Sequence, residues 1–160
     1  FLQVLFVHKY SGSMDVQDMI TISLSYFSCA AISIYNQLLT PQDAEPPLDL
    51  KYFGLLLVIL GLTGNFYHHF LLSKLRRTKT DSRYRIPEGG LFPLVACPHY
   101  LFEILVFWGI AFIAQTVYPF GFALGTTFYL TGRSIATLKW YRSKFDEFPT
   151  TVKALIPYIL

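Results

Sequence analysis

Residues 84–103 read Tyr84-Arg85-Ile86-Pro87-Glu88-Gly89-Gly90-Leu91-Phe92-Pro93-Leu94-Val95-Ala96-Cys97-Pro98-His99-Tyr100-Leu101-Phe102-Glu103. Pro87, Pro93 and Pro98 lack an amide donor, and Gly89 and Gly90 admit backbone angles that other residues avoid, so no long helix runs through this stretch. A basic loop with Lys74, Arg76, Arg77, Lys79, Arg83 and Arg85 feeds into it. Immediately after it an apolar run begins, carrying His99 and Glu103 one helical turn apart on the same face. A carboxylate entering an apolar helix is costly and points to a polar site at that place.

Working outward, the rest of the chain is unusually apolar. Of 160 residues, 53% are hydrophobic and only 14% charged, with 15 Phe and 11 Tyr. Ordinary soluble domains carry about 25% charged residues, and aromatic residues collect at lipid–water boundaries. The chain opens on Phe1 within an apolar run, as expected of a piece of a longer protein, with residues 1–8 the stub of a preceding helix. No signal-peptide pattern stands at this start. Cys29 and Cys97 lie far apart in apolar surroundings without C-x-x-C spacing, which predicts buried reduced thiols.

Residues 19–42, 52–73 and 104–132 contain no Lys, Arg, Asp or Glu. The last run is too long for one crossing of about 20 residues. Tyr118, Pro119 and Gly121 divide it into two predicted helices, 98–116 and 119–143. Backbone groups in a bilayer core must be satisfied within the segment, so these runs must be helices. The expected fold is an all-α integral membrane protein, a polytopic helical bundle with four complete spans and a truncated N-terminal one, forming a single membrane domain over 1–160.

Charge sets the expected orientation. The connector 40–50 carries Asp43, Glu45 and Asp49 with no Lys or Arg, and the connector near Tyr118 is uncharged. Lys9, the 74–85 loop and a tail with Lys139, Arg142, Lys144 and Lys153 hold nearly all the positive charge. Alternating crossings place all three basic segments on one side, which the positive-inside rule makes cytosolic.

The polar residues of the spans fall into stripes. Asn65, His69, Leu72 and Arg76 share one helical face, and Arg133, Thr137, Trp140, Tyr141 and Lys144 share another. With His99 and Glu103 they approach the basic side, as boundary residues snorkelling to the interface would also do. Metal chemistry is disfavoured: His68, His69, His99 and Glu103 form neither H-E-x-x-H nor the spaced histidine boxes of a membrane di-iron site. No G-x-S-x-G occurs, and Gly89-Gly90 lies in no βαβ unit, so neither serine hydrolysis nor a Rossmann site is indicated. Nucleic acid does not suit so apolar a chain. Converging Arg and Lys donors, with Asn, Tyr and Glu beside them, suit a phosphorylated anionic cofactor.

These residues also carry a family resemblance. Gly64-Asn65, Leu75-Arg76, Tyr84 to Phe92, Tyr100 with Glu103, Gly132-Arg133, Tyr141 to Phe145 and the ending from Phe148-Pro149 to Leu160 follow one another in order. Over 52–160 the chain resembles the C-terminal region of the steroid 5α-reductase (3-oxo-5α-steroid 4-dehydrogenase) family, to which trans-2-enoyl-CoA and polyprenol reductases are related. Residues 1–50 resemble it only loosely. The resemblance implies NADPH-dependent reduction of a C=C bond conjugated to a carbonyl in a lipid substrate, in the endoplasmic reticulum membrane.

It further implies that Asn65, Arg76, Tyr84, Arg85, His99, Glu103, Arg133 and Tyr141 line the NADPH site. Arg76, Arg85 and Arg133 would face phosphates, and Asn65 and Glu103 the amide or ribose groups. His69 stands where steroid reductases have Asp, His99 where they have Asn, Phe102 where they have Gly and Thr137 where they have His. The bulkier Phe102 weighs against a steroid, and Cys97-Pro98-His99-Tyr100 is nearer the polyprenol-reductase version. The family's carbonyl-activating Glu and Tyr precede the point where this chain begins. Two other readings are an isoprenylcysteine-type membrane methyltransferase using S-adenosylmethionine and a truncated membrane protein without enzymatic activity.

Overall fold

A computed structural model describes residues 16–41, 46–75 and 84–160. Within them are four helices and no strand: α1 (Val16–Leu39), α2 (Lys51–Leu75), α3 (Pro98–Ala114) and α4 (Val117–Lys144). The N-terminal stub at 1–8 lies outside the described residues. Two segments, Met19–Leu39 and Lys51–Leu75, are long and apolar enough to cross a membrane, while α3, at 17 residues, is apolar but shorter. At 1.5 Å per residue α2 is about 37 Å long, more than the roughly 30 Å of hydrocarbon in a bilayer.

The division of the long apolar run falls slightly earlier than the sequence suggests. Gln115, not Pro119, ends α3: it adopts the left-handed conformation with φ 47°, and its amide closes the helix on the Ala111 carbonyl. Pro119 then sits in the first turn of α4, where its missing N–H costs nothing. The Gln115 side chain donates to the Leu48 carbonyl at 2.7 Å and accepts from the Leu50 amide at 3.3 Å. The connector before α2 and the α3–α4 turn therefore meet at one end of the bundle.

Helices α2 and α3 form the tightest pair, because glycine lets their backbones touch. A methyl on Gly54 would lie 2.6 Å from the Gly109 carbonyl oxygen, and one on Gly109 would lie 2.7 Å from that of Gly54. Further along, a methyl on Gly61 would sit 2.7 Å from the Phe102 carbonyl oxygen. Small residues at such crossings allow the close packing on which helix association in lipid depends.

The most deeply buried region is not between the long helices but beneath 91–97. There the C-terminal segment returns and pairs in parallel, Val95 opposite Lys153. The Lys153 amide donates to Leu94 at 2.9 Å, Ala96 donates to Lys153 at 2.8 Å and Cys97 to Ala154 at 3.2 Å. Val95, Cys97, Val152 and Leu155 are buried there. By contrast α1 stands largely exposed, with Phe27 71% and Leu38 79% accessible.

Candidate functional site

The loop of 87–91 is bent over α2 by its glycines and held by a histidine. Gly89 and Gly90 have φ of 86° and 54°, and a methyl on Gly90 would meet His68 Nε2 at 2.6 Å. His68 Nε2 accepts the Leu91 amide at 3.1 Å, so the proton sits on Nδ1 and is donated to the Gly64 carbonyl at 2.7 Å. Both ring nitrogens of His68 are thus used by backbone. Its ring stacks on Phe102, with centroids 5.1 Å apart. Among the described residues, no three His, Cys, Asp or Glu side chains gather as metal ligands.

Phe102 packs across the crossing of α2 and α3. Its ring lies against Gly64, where an added methyl would meet ring carbons at 2.3 to 2.5 Å. Part of the bulk at position 102 is thus taken up between α2 and α3.

Just ahead of α3, Cys97 is 1% exposed. Burial pushes its thiol up to about 11, with the neighbouring Thr137 and Ser134 side chains offsetting this only in part, so it stays protonated at neutral pH. Both cysteines are free, as the sequence predicts, though Cys29 is only half-buried. Arg142, counted above only as a cytosolic charge, donates to the Thr150 and Val152 carbonyls at 3.1 Å each. It fastens the tail that forms the floor beneath Cys97.

The first turns of α3 draw together residues from four segments. Asn65 on α2 donates its side-chain amide to the His99 carbonyl at 3.0 Å. The His69 and His99 rings are 4.9 Å apart, and His99 in turn lies 4.3 Å from the Tyr100 ring. Arg133 on α4 hydrogen-bonds to the Tyr100 side chain, with Glu103 close by. Tyr26 on α1 donates to Glu103 Oε1 at 2.6 Å. Asn65, His99, Glu103 and Arg133, carried on three different helices, therefore lie in one cluster.

The remaining predicted residues lie beside it. Tyr84 and Arg85 line a cavity of about 610 Å³ with Lys74, Glu88, Ile86 and Phe145, two cations against one carboxylate. Tyr84 meets Trp140 edge-on at 4.9 Å. Tyr141 stacks on Phe148 at 5.1 Å and packs, with Ile86 and Tyr100, against the buried cluster around Cys97. Arg76 falls outside the described residues.

Two participants were missed. Tyr26 carries no local signal, since nothing in the apolar run 19–42 marks one tyrosine over another. The only clue was Glu103 itself, a carboxylate in need of a donor. Tyr100 was visible as a motif residue, but its pairing with Arg133 was not.

Comparison with known proteins identifies the family. A model of the family described as 3-oxo-5-alpha-steroid 4-dehydrogenase matches residues 16–160, so the match includes α1 as well as the stretch from 52 onward. The chain is 33% identical over 162 residues to the very-long-chain enoyl-CoA reductase of Dictyostelium discoideum, covering 99% of this chain and 53% of that protein. It is 41% identical over 107 residues to a steroid 5-alpha-reductase of Gossypium hirsutum, covering 66% of this chain and 41% of that protein. The human 3-oxo-5-alpha-steroid 4-dehydrogenase 1 is 36% identical over 113 residues, covering 71% and 42% respectively. The chain spans about half the length of the curated relatives it matches.

Proposed function

Because the chain belongs to the 3-oxo-5-alpha-steroid 4-dehydrogenase family, we propose that it forms the NADPH-binding part of a membrane reductase acting on a C=C bond conjugated to a carbonyl in a lipid. The observation that carries this reading is the convergence of Asn65, His99, Glu103 and Arg133 on the start of α3, beside a cavity lined by Arg85 and Lys74. The donor set suits the cofactor: cations and an aromatic ring at the cavity for phosphates and adenine, amide and carboxylate groups deeper in for the neutral end. NADPH, when bound, supplies the hydride.

The chain's own residues would hold the reactants and polarise the carbonyl. Arg133 lies beside the Tyr100 phenol, and the Tyr100 hydroxyl is read here as the group that donates to a substrate oxygen. On this reading Tyr100 is the proton donor supplied by this chain. A 2-enoyl thioester is the favoured substrate class, since the enoyl-CoA reductase aligns over 99% of the chain, α1 included, and the two steroid reductases over 66% and 71%.

The test is NADPH oxidation by the complete gene product in membranes, with a 2-enoyl thioester or an enone. Arg133→Ala is expected to raise the NADPH requirement about 10- to 100-fold, the loss of one charge-assisted hydrogen bond. Unchanged NADPH dependence in this variant would remove Arg133 from the site.

All four helices are read as spans, with the basic end cytosolic in the endoplasmic reticulum. The Gln115 bonds to Leu48 and Leu50 support this, because they gather the uncharged and acidic connectors away from Lys74, Arg85 and Phe145. A glycosylation acceptor placed at Ala44 should be modified, and one at Asp81 should not. The reverse pattern would overturn the orientation.

A further inference from the structure

We infer that Tyr26 is a positioning residue for Glu103, holding one oxygen of that carboxylate so that the other is presented to the carboxamide of the cofactor. The inference rests on the reading of Glu103 as a cofactor contact and adds a residue that the sequence did not single out.

Three observations carry it. The bond from the Tyr26 hydroxyl to Glu103 Oε1 is 2.6 Å long, the short distance of a donor facing a carboxylate, and it joins residues 77 positions apart. The Tyr26 ring also lies 5.9 Å from that of Phe107, one helical turn beyond Glu103 on the same face of α3. Ring and hydroxyl thus engage two successive turns, which restricts how the phenol can swing. Finally, Tyr26, itself 47% exposed, stands in line with the half-buried Cys29, Ser33 and Asn36, the face by which α1 meets the bundle.

The chemistry follows from the carboxylate. An ionised Glu accepts hydrogen bonds only, and its terminal torsion rotates broadly unless an oxygen is held. With Oε1 occupied by a phenol, Oε2 is left with a defined direction. An amide NH₂ is the complementary donor. A phosphate is not, because it would bring like charge to the carboxylate.

The test compares two ligands on the complete gene product in detergent. NADPH carries the nicotinamide with its carboxamide, and 2′-phosphoadenosine 5′-diphosphoribose is the same molecule with a hydroxyl in place of the whole nicotinamide. Tyr26→Phe keeps the ring and removes the hydroxyl. It is expected to weaken NADPH about 5- to 10-fold while the truncated ligand binds within about 2-fold of the unsubstituted protein, the loss of a single hydrogen bond. Glu103→Gln should show the same selective loss.

Equal weakening of both ligands by Tyr26→Phe would mean a structural role and overturn the inference. NADPH binding that responds to Glu103→Gln but not to Tyr26→Phe would overturn it alone. NADPH binding indifferent to both substitutions, or no NADPH binding by the unsubstituted protein, would overturn the assignment of Glu103 beneath it as well.

Discussion

Replacing Gly109 with valine should prevent α2 and α3 from packing as they do. The first carbon of the new side chain would fall 2.7 Å from the Gly54 carbonyl oxygen, 2.8 Å from Val58 Cγ2 and 2.9 Å from the Val58 amide nitrogen. Two of these three atoms are backbone and cannot turn aside by changing rotamer. The helices must separate, and the separation propagates to Gly61 and Gly64, which sit equally close to Val106 and Phe102. Overpacking of a core costs about 1–3 kcal/mol where side chains can adjust, and here they cannot, so a loss of about 3 kcal/mol or more is expected.

The measurement is thermal unfolding in detergent alongside size-exclusion profiles. Gly125→Val is the control, because a side chain at Gly125 meets nothing within 4 Å. It makes the same glycine-to-valine change within a helix without the clash, which by propensity alone is neutral or favourable by a few tenths of a kcal/mol. Equal stability of the two variants would show that the close crossing does not hold the bundle together.

Tyr100→Phe should separate binding from turnover. The variant keeps the ring that packs against the buried cluster and removes the hydroxyl paired with Arg133. A positioned proton donor contributes typically 10²–10⁴-fold to a rate. Turnover by the complete gene product should therefore fall about 10²- to 10⁴-fold, with NADPH affinity changed by no more than about 3-fold. A fall in NADPH affinity with turnover preserved at saturation would instead make Tyr100 a cofactor contact. His69→Ala and His99→Ala are informative companions, since both rings lie in the same cluster.

Much of this architecture was legible in the chain because the signals are local. Uninterrupted apolar runs, Pro98 at a helix start and Gly89-Gly90 at a bend act within a few residues, and the four helices form close to where those signals put them. The residues at the head of α3 were legible for a related reason: a carboxylate in an apolar helix announces an unmet need for a partner. Even the small shift of the α3–α4 break is a local effect that was simply weighed wrongly. Proline is tolerated in a first turn, so it marked the beginning of α4 and left the termination to Gln115.

What only the tertiary structure decided is which side chain answers which. Tyr26 reaches Glu103 across 77 positions, Phe102 is accommodated by Gly64, His68 is consumed by the Leu91 amide, and Arg142 clasps the returning tail. In sequence, Arg142 looked like a solvated charge. Each such pairing depends on where two separate helices or segments come to lie, and that is set by the summed packing of the whole bundle. No periodicity within either partner encodes it. Composition and order determined that this chain is an all-helical member of a reductase family; the close crossing of α2 and α3 and the tail folded beneath Cys97 determined what its polar residues touch.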